Sequence, residues 1–456
     1  MTTLRDKIAD RTAHVAIIGL GYVGLPLATA FAKAGFRTTG VDVDQRKIDN
    51  IVAGKSYISD VPDDAVAPHV ESGRLTATLD YDVLHEADAI FICVPTPYDA
   101  QRAPDLSFIQ IASKGIQPRL KPGQLIVLQS TTYPGTTEEI VQPILERNGL
   151  KAGEDFYLAF SPERIDPGNK QWTAYNTPKV VGGLTEECTE LATDLLRQMG
   201  APVHPVSSPR AAELTKLLEN TFRAVNIALV NELALLTERM GIDIWEVIEA
   251  AKTKPFGYMP FTPGPGVGGH CIPVDPYYLS WKAREYDYYT EFIELAGEVN
   301  QAMTHHVVNL VTQALSLCRK PLRDARVLVL GVAFKPDIDD ARNSPAERII
   351  ELLLGRRAVV RYHDPYVPRF QVGGDVFHRE PVVLESVELT DDEIAAADCI
   401  VIVTNHCCLD YERVVEHASL VVDTRNVTTG ISDPVLREKI VRLGAPLPQS
   451  FFDAGR

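Results

Sequence analysis

One stretch of the sequence combines a thiol with groups that would make it reactive. Residues 264–276 read Gly-Pro-Gly-Val-Gly-Gly-His-Cys-Ile-Pro-Val-Asp-Pro, so Cys271 follows an imidazole and precedes the carboxylate of Asp275 by four positions. This content of Gly and Pro excludes the interior of a helix or strand, and we expect an ordered loop. A cysteine in such a loop is a nucleophile when its surroundings lower its pKa. A buried structural cysteine is the commoner explanation for one such loop taken alone.

A second pair of polar residues lies on a long predicted helix. Ser208-Pro209 is typical of an N-cap followed by a first-turn proline, and Gly241 supplies a stop about 31 residues later. Lys216 and Asn220 are four positions apart and therefore share a face of this helix. Two donors aimed at one point would stabilise a developing oxyanion. A solvated lysine and an ordinary mid-helix asparagine are the simpler alternative.

The sequence near the N-terminus has the pattern of a dinucleotide-binding turn. A strand predicted at 14–18 is followed by Gly19-Leu20-Gly21-Tyr22-Val23-Gly24, a helix at 25–34 and a second strand at 36–41. In this pattern Gly19 makes the tight turn, Gly21 lets a pyrophosphate approach, and Gly24 lets the helix pack closely on the strand. The N–H groups at the start of the helix then face the phosphates.

An acidic residue ends the second strand of this pattern. Asp42 is placed to accept hydrogen bonds from ribose hydroxyls, which favours NAD over NADP. Lys47 lies just beyond it and is a candidate neighbour of the adenosine, although such a lysine is more often solvated. We also expect the turn residues Tyr22 and Val23 to contact the cofactor.

Polar residues follow three further predicted strands. Thr96 follows the strand at 89–94, Thr131 the strand at 125–129, and Glu163 the strand at 156–160. Ligands of open parallel sheets bind at the carboxyl ends of the strands. We therefore expect the two threonines near cofactor or substrate, with loop-capping hydroxyls as an equal alternative, and Glu163 as a candidate general base.

The C-terminal part repeats the strand-turn-helix plan without the three glycines. A strand at 326–330 opens into a turn at 331–342 that carries Lys335 and Arg342, and Ser344-Pro345 begins the next helix. Cationic side chains in such a turn suit a diphosphate. We interpret this part as a nucleotide-binding relative of the first domain and not as a second dinucleotide site.

Composition narrows the class of protein. The chain has 456 residues and a net charge of -16, with 45% hydrophobic and 23% charged residues, which fits two or three globular domains. The negative charge disfavours nucleic acid and anionic membranes as partners, because both attract clustered Lys and Arg. Seven scattered cysteines without metal-ligand spacing predict a reducing, cytoplasmic location and no metal site, and we expect no targeting leader.

Together these elements predict an α/β protein with two Rossmann-like, doubly wound domains joined by a long central helix and a helical middle domain. We expect residues 1–207 to bind NAD, residues 208–320 to form the central helical domain with the Cys271 loop, and residues 321–456 to bind the nucleotide of a second ligand. The long helix favours a homodimer or a higher homo-oligomer. Its apolar positions recur at helical spacing: Leu214, Leu217, Leu218, Phe222, Val225 and Leu229.

In these motifs the whole chain resembles the UDP-glucose/GDP-mannose dehydrogenase family. The matching positions are the Gly19 turn, Val94-Pro95-Thr96-Pro97, Ser130-Thr131, Ser161-Pro162-Glu163-Arg164, Lys216 with Asn220, Gly268-Gly269-His270-Cys271 with Asp275, and Gly331-Val332-Ala333-Phe334-Lys335 with Arg342. Several independent motifs in one order outweigh the purely structural explanation of Cys271.

The resemblance implies a four-electron oxidation of a UDP-sugar at C6 with two NAD+ reduced. The alcohol loses a hydride to give an aldehyde, the Cys271 thiolate adds to it, a second hydride leaves the thiohemiacetal, and water hydrolyses the thioester. Lys216 and Asn220 would stabilise the oxyanions, Asp275 would order Lys216 and water, and Glu163 with Thr131 would serve in proton transfer and hydrolysis.

The resemblance also assigns ligand contacts. On the cofactor side these are Gly19, Gly21, Tyr22, Val23, Gly24, Asp42, Lys47, Thr96, Thr131 and Arg342. On the substrate side they are Glu163, Arg164, Lys216, Asn220, Gly268 and Lys335. The C-terminal domain would then bind UDP, and His270 would shape the loop.

Two stretches are most similar to the UDP-N-acetylglucosamine 6-dehydrogenase subgroup, namely the one beginning at Gly269 and the one from Ser161 to Gly168. Members that act on UDP-glucose often carry an arginine, donated across the dimer, where this chain has Lys254-Pro255-Phe256-Gly257. UDP-glucose or another nucleotide-glucose remains the alternative substrate. A two-electron hydroxyacid dehydrogenase, a nucleotide-sugar epimerase and a non-catalytic NAD sensor are further alternatives, and none of them needs Cys271.

Overall fold

The computed structural model describes residues 2–58, 61–99, 103–165, 169, 171–173, 175–374 and 380–448. Residues 166–168 of the Ser161–Gly168 stretch lie outside the described residues. The chain divides into two compact units: Met1–Glu219 with Tyr277–Tyr289, and Asn220–Pro276 with Thr290–Arg456.

The first unit is built on an eight-stranded sheet. Its strands are β1 (His14–Ile18), β2 (Arg37–Val41), β3 (Leu75–Thr78), β4 (Ala89–Ile92), β5 (Leu125–Leu128), β6 (Tyr157–Phe160), β7 (Lys179–Gly183) and β8 (Val203–Val206). They lie in the order β3-β2-β1-β4-β5-β6-β7-β8, and every neighbouring pair is parallel except β6 and β7. The register places Ile17 of β1 beside Gly40 and Phe91. The central strands are buried along their whole length, as expected of a parallel sheet with both faces covered.

Helices cover both faces of this sheet. They are α1 (Leu4–Ala9), α2 (Gly24–Ala34), α3 (Gln45–Val52), α4 (Asp63–Glu71), α5 (Ser107–Ile116), a short π-helix (Thr137–Val141), α6 (Gln142–Leu145) and α7 (Glu186–Arg197). Apolar residues of the strands pack with α2 and α7 in one core that includes Phe31, Phe91 and Leu195.

The predicted long helix is present as α8 (Pro209–Met240). The Ser208 hydroxyl accepts a hydrogen bond from the Ala211 N–H at 3.2 Å, which is the predicted cap. The helix stops at Gly241, which has φ +69°. Helix α9 (Ile244–Lys252) follows and is capped by Asp243.

Two helices follow the Cys271 loop, α10 (Asp275–Ala283) and α11 (Glu291–Leu317). The two helices are separated at Asp287, because this residue has φ +52° and cannot continue a right-handed helix.

The second unit contains a five-stranded parallel sheet of the same type. Its strands and hairpin are β9 (Arg326–Leu330), β10 (Val359–His363), β11 (Arg369–Val372), β12 (Val382–Glu385), β13 (Cys399–Ile402), β14 (Val421–Asp423) and β15 (Ile440–Arg442). The sheet order is β10-β9-β13-β14-β15, and β11 with β12 forms a separate antiparallel pair. The helices here are α12 (Pro345–Gly355), α13 (Asp391–Ala396), α14 (Tyr411–His417) and α15 (Pro434–Arg437). One core joins β9, α11 and α12 through Val329, Val307 and Ile349.

The predicted fold class, two Rossmann-like α/β domains with a helical central region, is confirmed. Within the described part of the chain, no helix combines the length and apolarity that a membrane span requires.

Candidate active site

The glycine-rich turn after β1 leaves open space at the start of α2. Gly19 has φ +91°, and a Cβ on it would lie 2.6 Å from the Cys93 carbonyl oxygen. A Cβ on Gly24 would lie 1.8 Å from the Gly19 carbonyl oxygen, so α2 packs this closely only because glycine stands there. A Cβ on Gly21 would meet nothing within 4 Å, and no described side chain caps α2. The N–H groups of this helix end are therefore available to a phosphate, and the residues fit NAD.

Asp42 lies at the carboxyl end of β2, where the sequence predicts the ribose acceptor. Its Oδ2 accepts hydrogen bonds from the Leu20 N–H at 2.7 Å and from Lys47 Nζ at 2.9 Å. Lys47 therefore lies against Asp42 and not out in solvent. In the turn, Tyr22 is exposed and Val23 is half-buried.

The loops after β4 and β5 are held by helices of the first unit. Lys216 of α8 is buried, and its Nζ donates to the Thr131 hydroxyl at 2.6 Å. The Thr96 carbonyl accepts from the Tyr278 hydroxyl on α10. The structure thus brings Thr131 and Lys216 together directly.

Glu163 is buried, and both of its oxygens have partners. Oε1 accepts from the N–H groups of Arg164 at 2.8 Å and Ile165 at 3.0 Å. Oε2 accepts from Gln129 Nε2 at 2.9 Å and lies 3.4 Å from Lys179 Nζ. Burial raises the pKa of the Glu163 carboxyl, but Lys179 and the two N–H groups outweigh this and hold the pKa below its usual value. The group is therefore a carboxylate at neutral pH.

Arg164, a predicted substrate contact, is paired within the first unit. Its Nε donates to Glu219 of α8 at 3.1 Å, a second guanidinium nitrogen contacts the same carboxylate, and a third donates to the Pro178 carbonyl at 2.8 Å. These contacts fix the chain direction just after Glu163.

In the second unit, Cys271 lies where the glycine-rich loop turns into α10. Its carbonyl accepts from the N–H groups of Val274 at 3.2 Å and Asp275 at 2.8 Å, and its half-buried side chain is present as a thiol. Asp275 is buried, and its Oδ2 accepts from Asn220 Nδ2 at 2.5 Å. Asn220 Oδ1 in turn accepts from Arg223. The structure therefore brings together Asn220 and Asp275, two of the predicted catalytic residues.

The glycines before Cys271 are required by close packing. A Cβ on Gly268 would lie 2.8 Å from the Asn343 carbonyl oxygen. Gly269 has φ +87°, and a Cβ on it would lie 2.9 Å from the Phe334 ring. The Gly269 N–H donates to the Arg342 carbonyl at 3.2 Å, and Asn343 Nδ2 donates to the Gly269 carbonyl at 3.1 Å. The loop is thus fixed on the turn that follows β9.

That turn also carries the two predicted cationic contacts. Arg342 donates from Nε at 2.9 Å and from a terminal nitrogen at 2.7 Å to Asp340. His270 Nε2 lies 3.6 Å from the same carboxylate, and the His270 ring meets Phe334 edge-on. Burial and Arg342 lower the pKa of His270, so the imidazole is neutral at pH 7. Lys335 is half-buried in the same turn.

Asp364 occupies the position in the second sheet that Asp42 has in the first. Its Oδ2 accepts from the N–H groups of Val332 at 2.7 Å and Ala333 at 3.0 Å, and it lies 3.0 Å from Nε2 of the fully buried His406. The Val332 N–H thereby joins the turn after β9 to the end of β10, as the Leu20 N–H joins the turn after β1 to Asp42.

Sequence reasoning missed several residues of these sites. The sequence singles out neither Gln129, at the end of the strand predicted at 125–129, nor Lys179, at the start of β7, although both contact Glu163. Arg425 follows β14, and its NH1 would lie 2.6 Å from a Cβ on Gly264. Its half-buried guanidinium donates from Nε to Asn405 Oδ1 at 3.3 Å. An arginine directly after the end of a strand indicates a ligand contact, because ligands of parallel sheets bind at that edge.

The described residues contain no group of three or more His, Cys, Asp and Glu side chains arranged to hold a metal ion.

Comparison with known proteins matches three segments of the chain to one family. Residues 13–200, 210–302 and 328–430 match, respectively, the NAD binding, central and UDP binding domains of the UDP-glucose/GDP-mannose dehydrogenase family. A UDP-N-acetyl-D-glucosamine 6-dehydrogenase of Pseudomonas aeruginosa is 41% identical over 77% of this chain and 83% of its own.

Two solved structures share the fold over nearly the whole chain. The UDP-D-ManNAc dehydrogenase of Pyrococcus horikoshii superposes with a TM-score of 0.84 at 33% identity, covering 94% of this chain and 99% of that one. A UDP-glucose dehydrogenase of Pyrobaculum islandicum gives a TM-score of 0.81 at 28% identity, covering 96% and 97%.

Proposed function

The chain belongs to the UDP-glucose/GDP-mannose dehydrogenase family and is thus an NAD-dependent nucleotide-sugar dehydrogenase, and on this premise we propose that it oxidises C6 of UDP-N-acetylglucosamine to the carboxylate. Two NAD+ are reduced for each sugar, and the second oxidation passes through a thioester on Cys271.

The Cys271 loop is the observation that carries this proposal. A primary alcohol reaches the carboxylate through an aldehyde, which cannot lose a second hydride until a nucleophile adds to it. A thiol meets this need, because its adduct is a thiohemiacetal whose oxidation gives a thioester that water can hydrolyse. The close packing of Gly268 and Gly269 supports the role, since it fixes the backbone two and three positions before the thiol.

Each of the other polar residues has a role in this sequence of steps. Lys216 donates to the oxygen that becomes negative when the alcohol is deprotonated and when the thiolate adds. Asn220, oriented by Asp275, donates to the same oxygen. Glu163, which is ionised at neutral pH, accepts the proton that the alcohol loses and passes it to solvent. In the hydrolysis it accepts a proton from the attacking water, which Thr131 orients.

NAD+ bound at the turn after β1 supplies the hydride acceptor. Gly19, Gly21 and Gly24 shape that turn, Asp42 with Lys47 binds the ribose, and the start of α2 binds the pyrophosphate. Tyr22, Val23, Thr96 and Arg342 complete the cofactor contacts in this proposal.

The UDP binding domain supports a UDP-sugar as substrate. Lys335 and Arg425 are the cations that we assign to its diphosphate, since each lies in a loop at the carboxyl end of a strand. Arg164 and Gly268 complete the substrate contacts.

The acetamido sugar is favoured over glucose by two observations. The relative with 41% identity is named a UDP-N-acetyl-D-glucosamine 6-dehydrogenase. The segment 254–257 also has a lysine and no arginine where glucose-specific members often have one. UDP-glucose is the second candidate, because a UDP-glucose dehydrogenase shares the fold at a TM-score of 0.81. We further propose a cytoplasmic homodimer.

Replacement of the thiol tests the covalent mechanism. Cys271→Ser should lower net turnover to the uronic acid by at least about 10³-fold, because a hydroxyl is a far weaker nucleophile at neutral pH. The dissociation constant for NAD+, measured by fluorescence titration, should stay within about twofold of the wild-type value. Cys318→Ser, which alters an exposed thiol at the end of α11, is the matched control. Unchanged turnover in Cys271→Ser would exclude the thioester.

A further inference from the structure

A buried carboxylate on α8 binds the loop that carries Thr131. Glu213 is 1% exposed and lies one helical turn before Lys216. Its Oε2 accepts from the Gly135 N–H at 2.6 Å, and its Oε1 accepts from the Thr137 N–H at 2.9 Å and the Thr137 hydroxyl at 2.7 Å. Three donors of the loop thus converge on this one side chain of α8.

The loop has attachments on both sides of Thr131. On the strand side, the Ser130 hydroxyl donates to the Val94 carbonyl at 2.8 Å. On the other side, Glu213 holds the start of the π-helix at Thr137. Between them, Lys216 donates to the Thr131 hydroxyl at 2.6 Å. Two residues of α8 that share a face therefore hold the same loop, one through its backbone and one through the reactive hydroxyl.

We propose that Glu213 is a positioning residue for the oxidation, which fixes the loop on α8 so that the Thr131 hydroxyl meets Lys216. This inference rests on the roles proposed above for Thr131 and Lys216. Glu213 itself touches neither sugar nor cofactor in this account. Its effect is on the geometry of the pair, and a displacement of about 1 Å at a reacting group costs up to about 10²-fold in rate.

The charge state of Glu213 decides how many donors it binds. As a carboxylate it accepts from all three, whereas the protonated acid uses one oxygen as a donor and loses an acceptor toward one of them. Burial raises the pKa of Glu213 to about 7, against the opposing effect of the bonds from Thr137 and Gly135. The attachment therefore weakens as the pH falls through neutrality.

Other charged groups around this carboxylate balance one another. The charged groups nearby are Glu138 and Glu139 of the π-helix, Arg210 and Lys216 of α8, and Lys282 of α10. Arg210 pairs with Glu138 and Glu139, and Lys282 donates to Glu139 at 2.7 Å. Of these groups, Glu138 raises the pKa of Glu213 further, whereas Lys216 is bound to Thr131.

The test compares the wild type with Glu213→Gln between pH 6 and pH 8.5. Glutamine has the shape of glutamate but stays neutral, so it should behave as protonated Glu213 at every pH. The ratio of the wild-type kcat to the variant kcat should be about 10 at pH 8.5 and fall toward 1 at pH 6. A pH effect that is common to both proteins cancels in this ratio. The KM for NAD+ should be unchanged.

Two further variants keep the result interpretable. Glu186→Gln removes the same charge from an exposed position in the first turn of α7 and should leave kcat unchanged at every pH. Thr137→Val removes one hydrogen bond that lowers the pKa of Glu213, so it should move the midpoint of the kcat profile to higher pH. It also serves if Glu213→Gln does not fold.

A pH-independent ratio, or a Thr137→Val midpoint that does not rise, would overturn the inference and leave Glu213 as a purely structural residue. Lys216→Ala separates this failure from a failure of the proposed function. If Lys216→Ala loses turnover while the Glu213→Gln ratio stays flat, only the inference is wrong. If Lys216→Ala turns over like the wild type, the proposed roles and the inference fall together.

Discussion

A buried ion pair with Lys179 keeps Glu163 charged. A carboxylate that must accept a proton from water has to be ionised when the thioester forms. Burial opposes ionisation, and Lys179, with two backbone N–H groups, overcomes that opposition. The role that we propose for Glu163 therefore depends on Lys179 of β7, 16 positions away.

Lys179→Met tests this dependence. It leaves a buried carboxylate without its cation, and we expect the free energy of unfolding at pH 7 to fall by about 3 kcal/mol. The wild-type pKa of Glu163 is depressed, so its stabilising contribution is present above the unfolded-state pKa of about 4.3 and is lost as the pH falls below it. The deficit of the variant should therefore shrink toward pH 4, as followed by urea unfolding.

Lys151→Met, at an exposed position of the same unit, is the control and should change stability by less than about 0.5 kcal/mol. A deficit in Lys179→Met that is equal at pH 7 and pH 4 would show that packing, and not charge, explains the loss.

Residue type and spacing predict the reactive groups but not their partners. The sequence predicts Cys271, Lys216 and Asn220 as candidate reactive groups, because a thiol in a glycine-rich loop and two donors one turn apart are unusual locally. The roles of Lys179, Gln129 and Glu213 were not readable, because each depends on a contact between segments distant in sequence. Among these three residues, only Lys179 is a cation bound to a carboxylate. Gln129 is neutral, and Glu213 is itself a carboxylate.

The glycines before Cys271 let its loop pack closely on the turn after β9. The loop at 264–274 makes no regular structure and ends where α10 begins at Asp275, two residues earlier than the Gly- and Pro-rich stretch predicts. Its shape follows from contacts with the turn after β9. Gly268 and Gly269 lie against backbone and ring atoms that cannot move aside cheaply. The position of the thiol is thereby coupled to the second Rossmann-like domain, and a change in the turn is expected to be felt at Cys271.

Gly268→Ala tests this coupling. The added methyl would lie 2.8 Å from the Asn343 carbonyl oxygen, and we expect a loss of about 1–3 kcal/mol in unfolding free energy together with a kcat at least about tenfold lower. Gly355→Ala, in α12, is the control because a Cβ there meets nothing within 4 Å. It should be neutral or stabilising. Activity of Gly268→Ala at the wild-type level would contradict the packing argument.

Elements with a strong local signal were predicted well, and weakly marked ones were not. β1 follows from an apolar run, and α8 follows from a capped stretch that has no Gly or Pro after its first turn. β3, β11, β12 and β15 were not predicted. They are three or four residues long. In the two-stranded pair, β11 alternates exposed and buried residues, and β12 alternates half-buried and exposed residues. Their formation depends on neighbours distant in sequence.

One surface of the molecule is suited to a protein partner. Part of α8 in the second unit presents apolar side chains to solvent at helical spacing, namely Phe222, Leu229, Leu233, Leu236 and Met240, which are 40–59% exposed. Such a stripe is costly to leave in water and marks an interface with another protein surface. We propose that a second copy of the chain covers it.

A charge in this stripe should separate the copies. For the double variant Leu229→Glu with Leu236→Glu we expect a mass near 50 kDa by light scattering, whereas the wild type should give about twice its chain mass of 50.2 kDa or a higher multiple. Glu232→Gln, which changes an exposed polar residue between them, should leave the mass unchanged. A wild type that is monomeric when dilute and active would remove the proposal.

The number of NADH formed per nucleotide sugar consumed is the decisive test of a four-electron oxidation through a thioester on Cys271. With excess NAD+ and UDP-N-acetylglucosamine we expect two NADH per sugar, and UDP-glucose should react at least about tenfold more slowly in kcat/KM. Two NADH per UDP-glucose, with the acetamido sugar slow, would keep the mechanism and change the substrate. One NADH per sugar, with the aldehyde as product, would contradict the account, because Cys271 would then not take the substrate through a thioester.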